Sequence, residues 1–388
     1  MSTTSTRASG ALRGLRVLEV EGIGGSPFAA MLLADMGAEV LRIERPRRNA
    51  AAIGGTDAGP VLGRGRRAVI GLDLKRGDGL AALLDMARSA DVLIEAFRPG
   101  VAERLGFGPA VIAEINPRLV YGRLTGWGRS GPLAQAAGHD INYIALSGLL
   151  GAIGRRDSAP APPLALTGDM GGGGLMLAVG VLAALVERSS SGRGQVVDAA
   201  MVDGSALLMS VFWGFFAQGH WSKQRESNLT DGGAPFYDTY LCADGLYVSI
   251  GALEPAFFAV LRARLQLSND LDPADVTHWP RLRAELAQRF ASRNRDEWCA
   301  LLEGSDACFA PVLDFDSAPR HPQLRERGSF IELDGVLQPA PSPRFDRTPS
   351  SARVSPPADD ERATREALAD WGFGEARIAA LRSAGVLR

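Results

Sequence analysis

The chain has 388 residues, of which 46% are hydrophobic and 22% charged, and its formal net charge is -2. This is the composition of a globular protein with room for two domains, and the near-balance of charge excludes a global pull on nucleic acid or anionic lipid. An anionic ligand must therefore be gripped by a local cluster of cations.

The first residues, MSTTSTRASGALRG, are polar and lack the apolar stretch of a signal peptide, so 1–13 is expected to be a disordered tail. LRVLEV at 15–20 predicts a strand, EGIGGSP a glycine turn, FAAMLLADM a helix, and EVLRI a second strand closed by Glu44 and Arg45. Strands that alternate with helices imply a parallel sheet. RAVIGLDL, DGLAALLDMARSA, DVLIEAF, VIAEINP and LVYGRLTGWG repeat the alternation. LMLAVGVLAALV at 175–186 is too short to span a bilayer and predicts a buried helix. RSSSGRGQ at 188–195 is a polar link, and VVDAAMVDGSALLMSVFWGFFAQG predicts a strand end followed by one long apolar helix.

The character changes near residue 232. Asp244-Gly245 stands between two β-rich runs in YDTYLCADGLYVSIGAL, which is a hairpin signal. FFAVLRARL and PRLRAELAQRFASR predict helices. A proline-rich linker occupies 336–358, and two helical pieces close the chain. The expected organisation is a large α/β domain at 14–225, a smaller α+β domain at 226–335, and a linker with a return to the large domain at 336–388. Cys242, Cys299 and Cys308 have no metal-ligand spacing and an odd count, which fits free thiols in a reducing cytoplasm.

Several groups of residues carry chemistry. The turn EGIGGSP could seat a dinucleotide on a helix N-terminus, with Arg45 on the 2′-phosphate of NADP. Pro27 breaks the third glycine position, which favours a plain tight turn, and coenzyme A is another adenosine ligand that would suit it. Arg45, Lys75 and Arg98 each lie just after a predicted strand, with Arg104 a few residues on. The carboxyl edge of an open α/β sheet is where ligands bind, so these cations could gather phosphates, although each alone would pass as a solvated charge. LTGDMGGGG sets Asp169 before four glycines. The carboxylate could be a helix cap, but the glycines are more than a cap needs and would admit a ligand to the backbone amides. His139-Asp140 in AGHDINY is a candidate that a structural reading fits as readily as a functional one, and Glu254 in GALEP is a further candidate that, as a single Glu before Pro, would by itself pass as a surface residue.

Taken together, these stretches resemble the family III CoA-transferase superfamily, and in particular its members that racemise 2-methylacyl thioesters of coenzyme A. The resemblance runs from GLRVLEVEGIGGSPFAAMLLADMGAEVLRIERP through DVLIEAFRPGVAERLGFGP, GHDINY, PPLALTGDMGGGG and DGGAPFYDTY to PRFDRTP. It implies a Rossmann-like large domain and a small domain, with two chains interlocked as a homodimer whose sites are shared between subunits. It implies that His139, assisted by Glu254, is one acid/base and Asp169 the other, with the Asp140 N–H near the enolate oxygen. Arg45, Lys75, Arg98, Arg104 and Tyr237 would line the path of an acyl-CoA substrate. No cofactor is expected beyond the coenzyme A of that substrate, and neither nucleic acid nor a membrane span is expected. Where close racemases carry PPLNL this chain has PPLAL, so Ala165 brings no amide near Asp169. Three rivals remain: a transferase with Asp169 as nucleophile, an NADP-dependent reductase, and a silent CoA-binding protein.

Overall fold

The structure, a computed structural model, describes residues 10–46 and 59–388. Residues 1–9 of the expected tail lie outside this range. Leu12 sits in a turn and donates its N–H to the Met36 carbonyl.

The chain divides into two units. One runs to Ser147 and adds Leu164–Leu208 and Gly328–Arg388; the other comprises Gly148–Pro163 and Met209–Arg327. In the first unit, β1 (Arg16–Val20), β2 (Glu39–Glu44), β3 (Arg66–Gly71), β4 (Val92–Glu95), β5 (Val120–Thr125) and β6 (Val196–Ala200) form a single sheet. Its order is β3-β2-β1-β4-β5-β6 and every neighbouring pair is parallel. The order reverses between β1 and β4, the switch point beyond whose carboxyl ends such sheets bind ligands.

Alternate strand residues serve opposite faces. Leu18, Leu41 and Ile70 pack against the helix Gly77–Ala87 and the closing helices Glu361–Asp370 and Glu375–Ser383. Val17, Val40, Ile94 and Leu124 pack against the helices Gly25–Asp35 and Met176–Ser191. With both faces covered, the strands can be the near-continuous apolar runs that the sequence carries.

In the second unit, β7 (Tyr237–Leu241), β8 (Tyr247–Gly251) and β9 (Phe309–Pro311) form an antiparallel sheet, and Asp244-Gly245 lies between the first two. Helices Pro255–Leu265, Trp279–Phe290 and Arg295–Leu302 share its core through Phe258, Leu282, Phe290 and Trp298.

Three local expectations are corrected. The long apolar helix after β6 is two helices, Met201–Leu208 and Ser210–Ala217, separated at Met209; apolar residues on both sides of the break hid it. The linker begins with ordered structure, because β10 (Phe330–Leu333) pairs antiparallel with β11 (Val336–Pro339). The run LMLAVGVLAALV belongs to a continuous helical stretch, Leu164–Ser191, of 28 residues, long and apolar enough to cross a membrane by length and composition. Only 39% of its most apolar window is buried. Leu177, Val181 and Ala184 face β5 and β6, while Val179 and Val186 on the opposite side are 57% and 71% exposed. A helix flanking a sheet buries one stripe, and the apolar residues here continue past it.

Candidate functional site

The site begins where β1 ends. Gly24 adopts φ 62° and ψ -113°, a conformation that disfavours any side chain, and an added Cβ there would lie 2.7 Å from Asp169 Oδ2. A Cβ on Gly25 would lie 2.4 Å from the Asp169 carbonyl oxygen and 3.1 Å from Gly174 N. The two glycines let the β1 turn lie flush against the segment that carries Asp169. That segment, Thr167–Leu175, is π-helical, so Asp169 sits inside a wide helical turn and is not an N-cap. Its other side is packed backbone to backbone: a Cβ on Gly204 would sit 1.9 Å from Gly172 O. The glycine run is therefore needed for packing on two sides.

His139 is the N-cap residue of the helix Asp140–Leu146, and its N–H donates to Asn142 Oδ1 at 3.0 Å. Asp140, the first helical residue, is buried, and its Oδ2 accepts the Asp169 N–H at 2.7 Å. Its Oδ1 is buried and has no hydrogen-bond partner among the described residues. One turn on, the Tyr143 hydroxyl donates to the Gly138 carbonyl, and the Trp127 ring meets Tyr143 edge-on at 4.7 Å. These contacts hold the approach to His139, which is itself exposed, while Asp169 is half-buried.

Burial, followed by the like charge of Asp140, pushes the Asp169 carboxyl from 3.8 up to about 6, and His139 pulls it the other way. His139, Asp140 and Asp169 thus form one electrostatic group at the carboxyl edge of the sheet.

All four predicted cations are exposed in the first unit. Arg45, Lys75 and Arg98 follow β2, β3 and β4, and Arg104 lies in the helix Val101–Leu105. Arg45 Nε donates to Glu21 Oε2 at 3.1 Å. The loop bearing Arg98 and Arg104 is anchored from below by Arg123, which sequence reasoning missed. Arg123 is buried in β5 and binds Glu95 Oε1 at 2.7 Å and both Glu103 oxygens at 2.7 and 3.1 Å. Chiefly through that bond, the Glu103 carboxyl falls to about 2. Glu95 Oε2 accepts the Phe97 N–H at 2.6 Å.

Glu254 and Tyr237 belong to the second unit, so the first unit does not itself bring Glu254 to His139. Glu254 caps the helix Pro255–Leu265, is exposed, and its carboxylate makes no hydrogen bond or ion pair among the described residues. Tyr237 opens β7 with its ring across from Gly251. Ala165 is exposed at a kink, with φ -86° and ψ 41°. Among the described residues no three His, Cys, Asp or Glu side chains gather as a metal-binding group.

The chain is similar to known proteins over nearly its whole length. The model of CoA-transferase family III matches residues 12–362. Alpha-methylacyl-CoA racemase of Mus musculus is 45% identical over 378 residues, 96% of each chain. That of Homo sapiens is 42% identical over 376 residues, again 96% of each. A crystal structure of a CAIB/BAIF family protein from Brucella suis superposes with a TM-score of 0.79 at 25% identity, covering 93% of this chain and 100% of that one.

Proposed function

This chain belongs to CoA-transferase family III, and from that membership and the site we propose that it interconverts the (R) and (S) forms of 2-methylacyl-CoA thioesters. The thioester carbonyl acidifies the hydrogen on C2. One base removes it, an enolate forms, and the conjugate acid of the other base returns a proton to the opposite face. Coenzyme A is part of the substrate throughout, so the reaction calls for no further cofactor. His139 and Asp169 are the two bases, and the Asp140 N–H is the donor for the enolate oxygen. Arg45, Lys75, Arg98 and Arg104 hold the phosphates of coenzyme A, and Tyr237 lines the acyl-CoA path.

The observation that carries this reading is Asp169 itself. A carboxyl that ionises near pH 6 can both take and return a proton near neutral pH, where an ordinary one would stay ionised. The two racemases, similar over nearly the whole chain, support the same chemistry. The molecule works as a homodimer in which Glu254 of one chain assists His139 of the other. The exposed apolar side of Leu164–Ser191 supports a covering partner.

The test is exchange at C2. Both enantiomers of a 2-methylacyl-CoA are incubated in D₂O and followed by NMR. Wild type should racemise each with deuterium uptake. Asp169→Ala should exchange only one enantiomer, with retention, and His139→Ala only the other. A wild type that exchanges neither, or two variants that lose the same enantiomer, overturns the reading. Acyl transfer to a free acid, lost in Asp169→Ala, would put the nucleophilic transferase in its place.

A further inference from the structure

Three buried charged residues, one on each of the strands β1, β2 and β3, are tied to one another. Glu19 of β1 and Arg42 of β2 are register partners, and Arg66 opens β3. All three are buried, Glu19 completely. Glu19 binds Arg66 through both oxygens, at 2.8 and 3.1 Å, and also binds Arg42. Burial alone would raise the Glu19 carboxyl, but the charges of Arg66 and Arg42 hold it below its ordinary value, so the cluster is ionised.

A buried guanidinium has five N–H groups to satisfy. Arg66 spends two on Glu19, one on the Leu62 carbonyl, one on Arg64 O at 2.9 Å, and one on Pro27 O at 2.9 Å. Arg42 pairs with Glu19 and with Glu44 at 2.6 Å, and reaches Gly22 O at 3.4 Å. Gly22 and Pro27 bracket the turn whose Gly24 and Gly25 lie against Asp169. Two arginines on one carboxylate therefore grip that turn by a carbonyl on each side, and the turn is the wall against which the Asp169 side chain rests.

We propose that Arg66 and Arg42, anchored on Glu19, are positioning residues for Asp169: they fix the Gly22–Pro27 turn and so fix where the Asp169 carboxyl stands relative to C2 of the substrate. The inference rests on the two-base reading. It also separates from it, because the turn borders Asp169, whereas His139 is held by Asn142 and the Tyr143–Gly138 contact. Loosening the turn should impair one face of the reaction and spare the other. Misplacement of a reacting group by about 1 Å costs up to roughly 100-fold in rate.

Asp169→Ala is measured first in the D₂O assay, and the enantiomer whose exchange it abolishes reports on the Asp169 face. Arg66→Lys keeps the charge beside Glu19 but loses the fork that reaches Pro27. It should slow exchange of the reporter enantiomer by roughly 10- to 100-fold with KM little changed, and leave the other enantiomer near the wild-type rate. Arg42→Lys, which drops the Gly22 contact, should do the same more weakly. It carries the test should Arg66→Lys not fold. Equal loss on both faces, or none on either, in folded protein overturns the positioning role while leaving the two-base reading intact. Failure of Asp169→Ala to discriminate the enantiomers would instead strike that reading.

Discussion

The Asp169 carboxyl has a pH of its own. The reaction in either direction needs one proton on the His139–Asp169 pair: a base on one face and an acid on the other. When both groups are protonated no base remains, so kcat/KM should fall as pH drops through about 6, the value to which burial and then Asp140 push Asp169. Both enantiomers should share this acid limb, because the equilibrium between them does not depend on pH. Asp140→Asn removes the like charge and keeps an oxygen able to accept the Asp169 N–H. The Asp169 pKa then moves down toward 3.8, though not all the way, since burial remains. The limb of kcat/KM against pH should therefore shift to lower pH; an unmoved limb, or one displaced upward, would show that Asp140 does not set it. Asp169, His139 and Asp140 were legible as candidates because each stands in a local oddity, a four-glycine run or a lone histidine beside a carboxylate. Glu19, Arg42, Arg66 and Arg123 were not. A charge within a strand run passes for an outward-facing residue until the register puts Glu19 opposite Arg42. Opposite charges at matching places in RVLEV and EVLRI were the available signal.

At the scale of elements, the six parallel strands and their crossover helices were legible because strand-length apolar runs alternate with helix-length ones. What composition hides is how closely elements approach, and here glycine decides it. Gly204 of the helix Met201–Leu208 meets Gly172 of the π-helical segment so closely that an added Cβ would lie 1.9 Å from the Gly172 carbonyl oxygen. Neither backbone can swing aside as a flexible side chain would. Gly204→Ala should therefore cost about 1–3 kcal/mol through overpacking, and the displacement should reach Asp169, three residues before Gly172. Gly214, inside Ser210–Ala217, has nothing within 4 Å of an added Cβ. Gly214→Ala should instead gain about 0.5–1 kcal/mol, because alanine loses less freedom in a helix. Thermal unfolding of the two variants beside wild type checks both signs. A Gly204→Ala chain as stable as wild type, with full exchange activity, would refute the close approach. The π-helical form of Thr167–Leu175 had no legible signal, since glycine runs suggest loops rather than a wide helical turn.

For the whole molecule, the sequence shows apolar residues but not what covers them. Leu175, Val179 and Val186 along Leu164–Ser191, with Leu207 and Leu208, leave apolar surface exposed in the first unit, and surface of that kind marks an interface. Sedimentation should give a particle of two 41.0 kDa chains without detergent; a monomer, or a need for detergent, would count against the homodimer. Whether the chains share sites needs a sharper measurement. Glu254 belongs to the second unit and His139 to the first. Let an inactive His139→Ala chain and an inactive Glu254→Ala chain be refolded together. If each site takes His139 from one chain and Glu254 from the other, a hybrid dimer has one site with both substitutions and one with neither. Random pairing makes half the dimers hybrid, so racemisation should recover to about one quarter of wild type. If each site is built within one chain, every site in the hybrid carries one substitution and nothing is recovered. Differently tagged chains, purified through both tags, isolate the hybrid. Activity near half of wild type in that fraction supports a shared site, and an inactive hybrid assigns Glu254 to the His139 of its own chain.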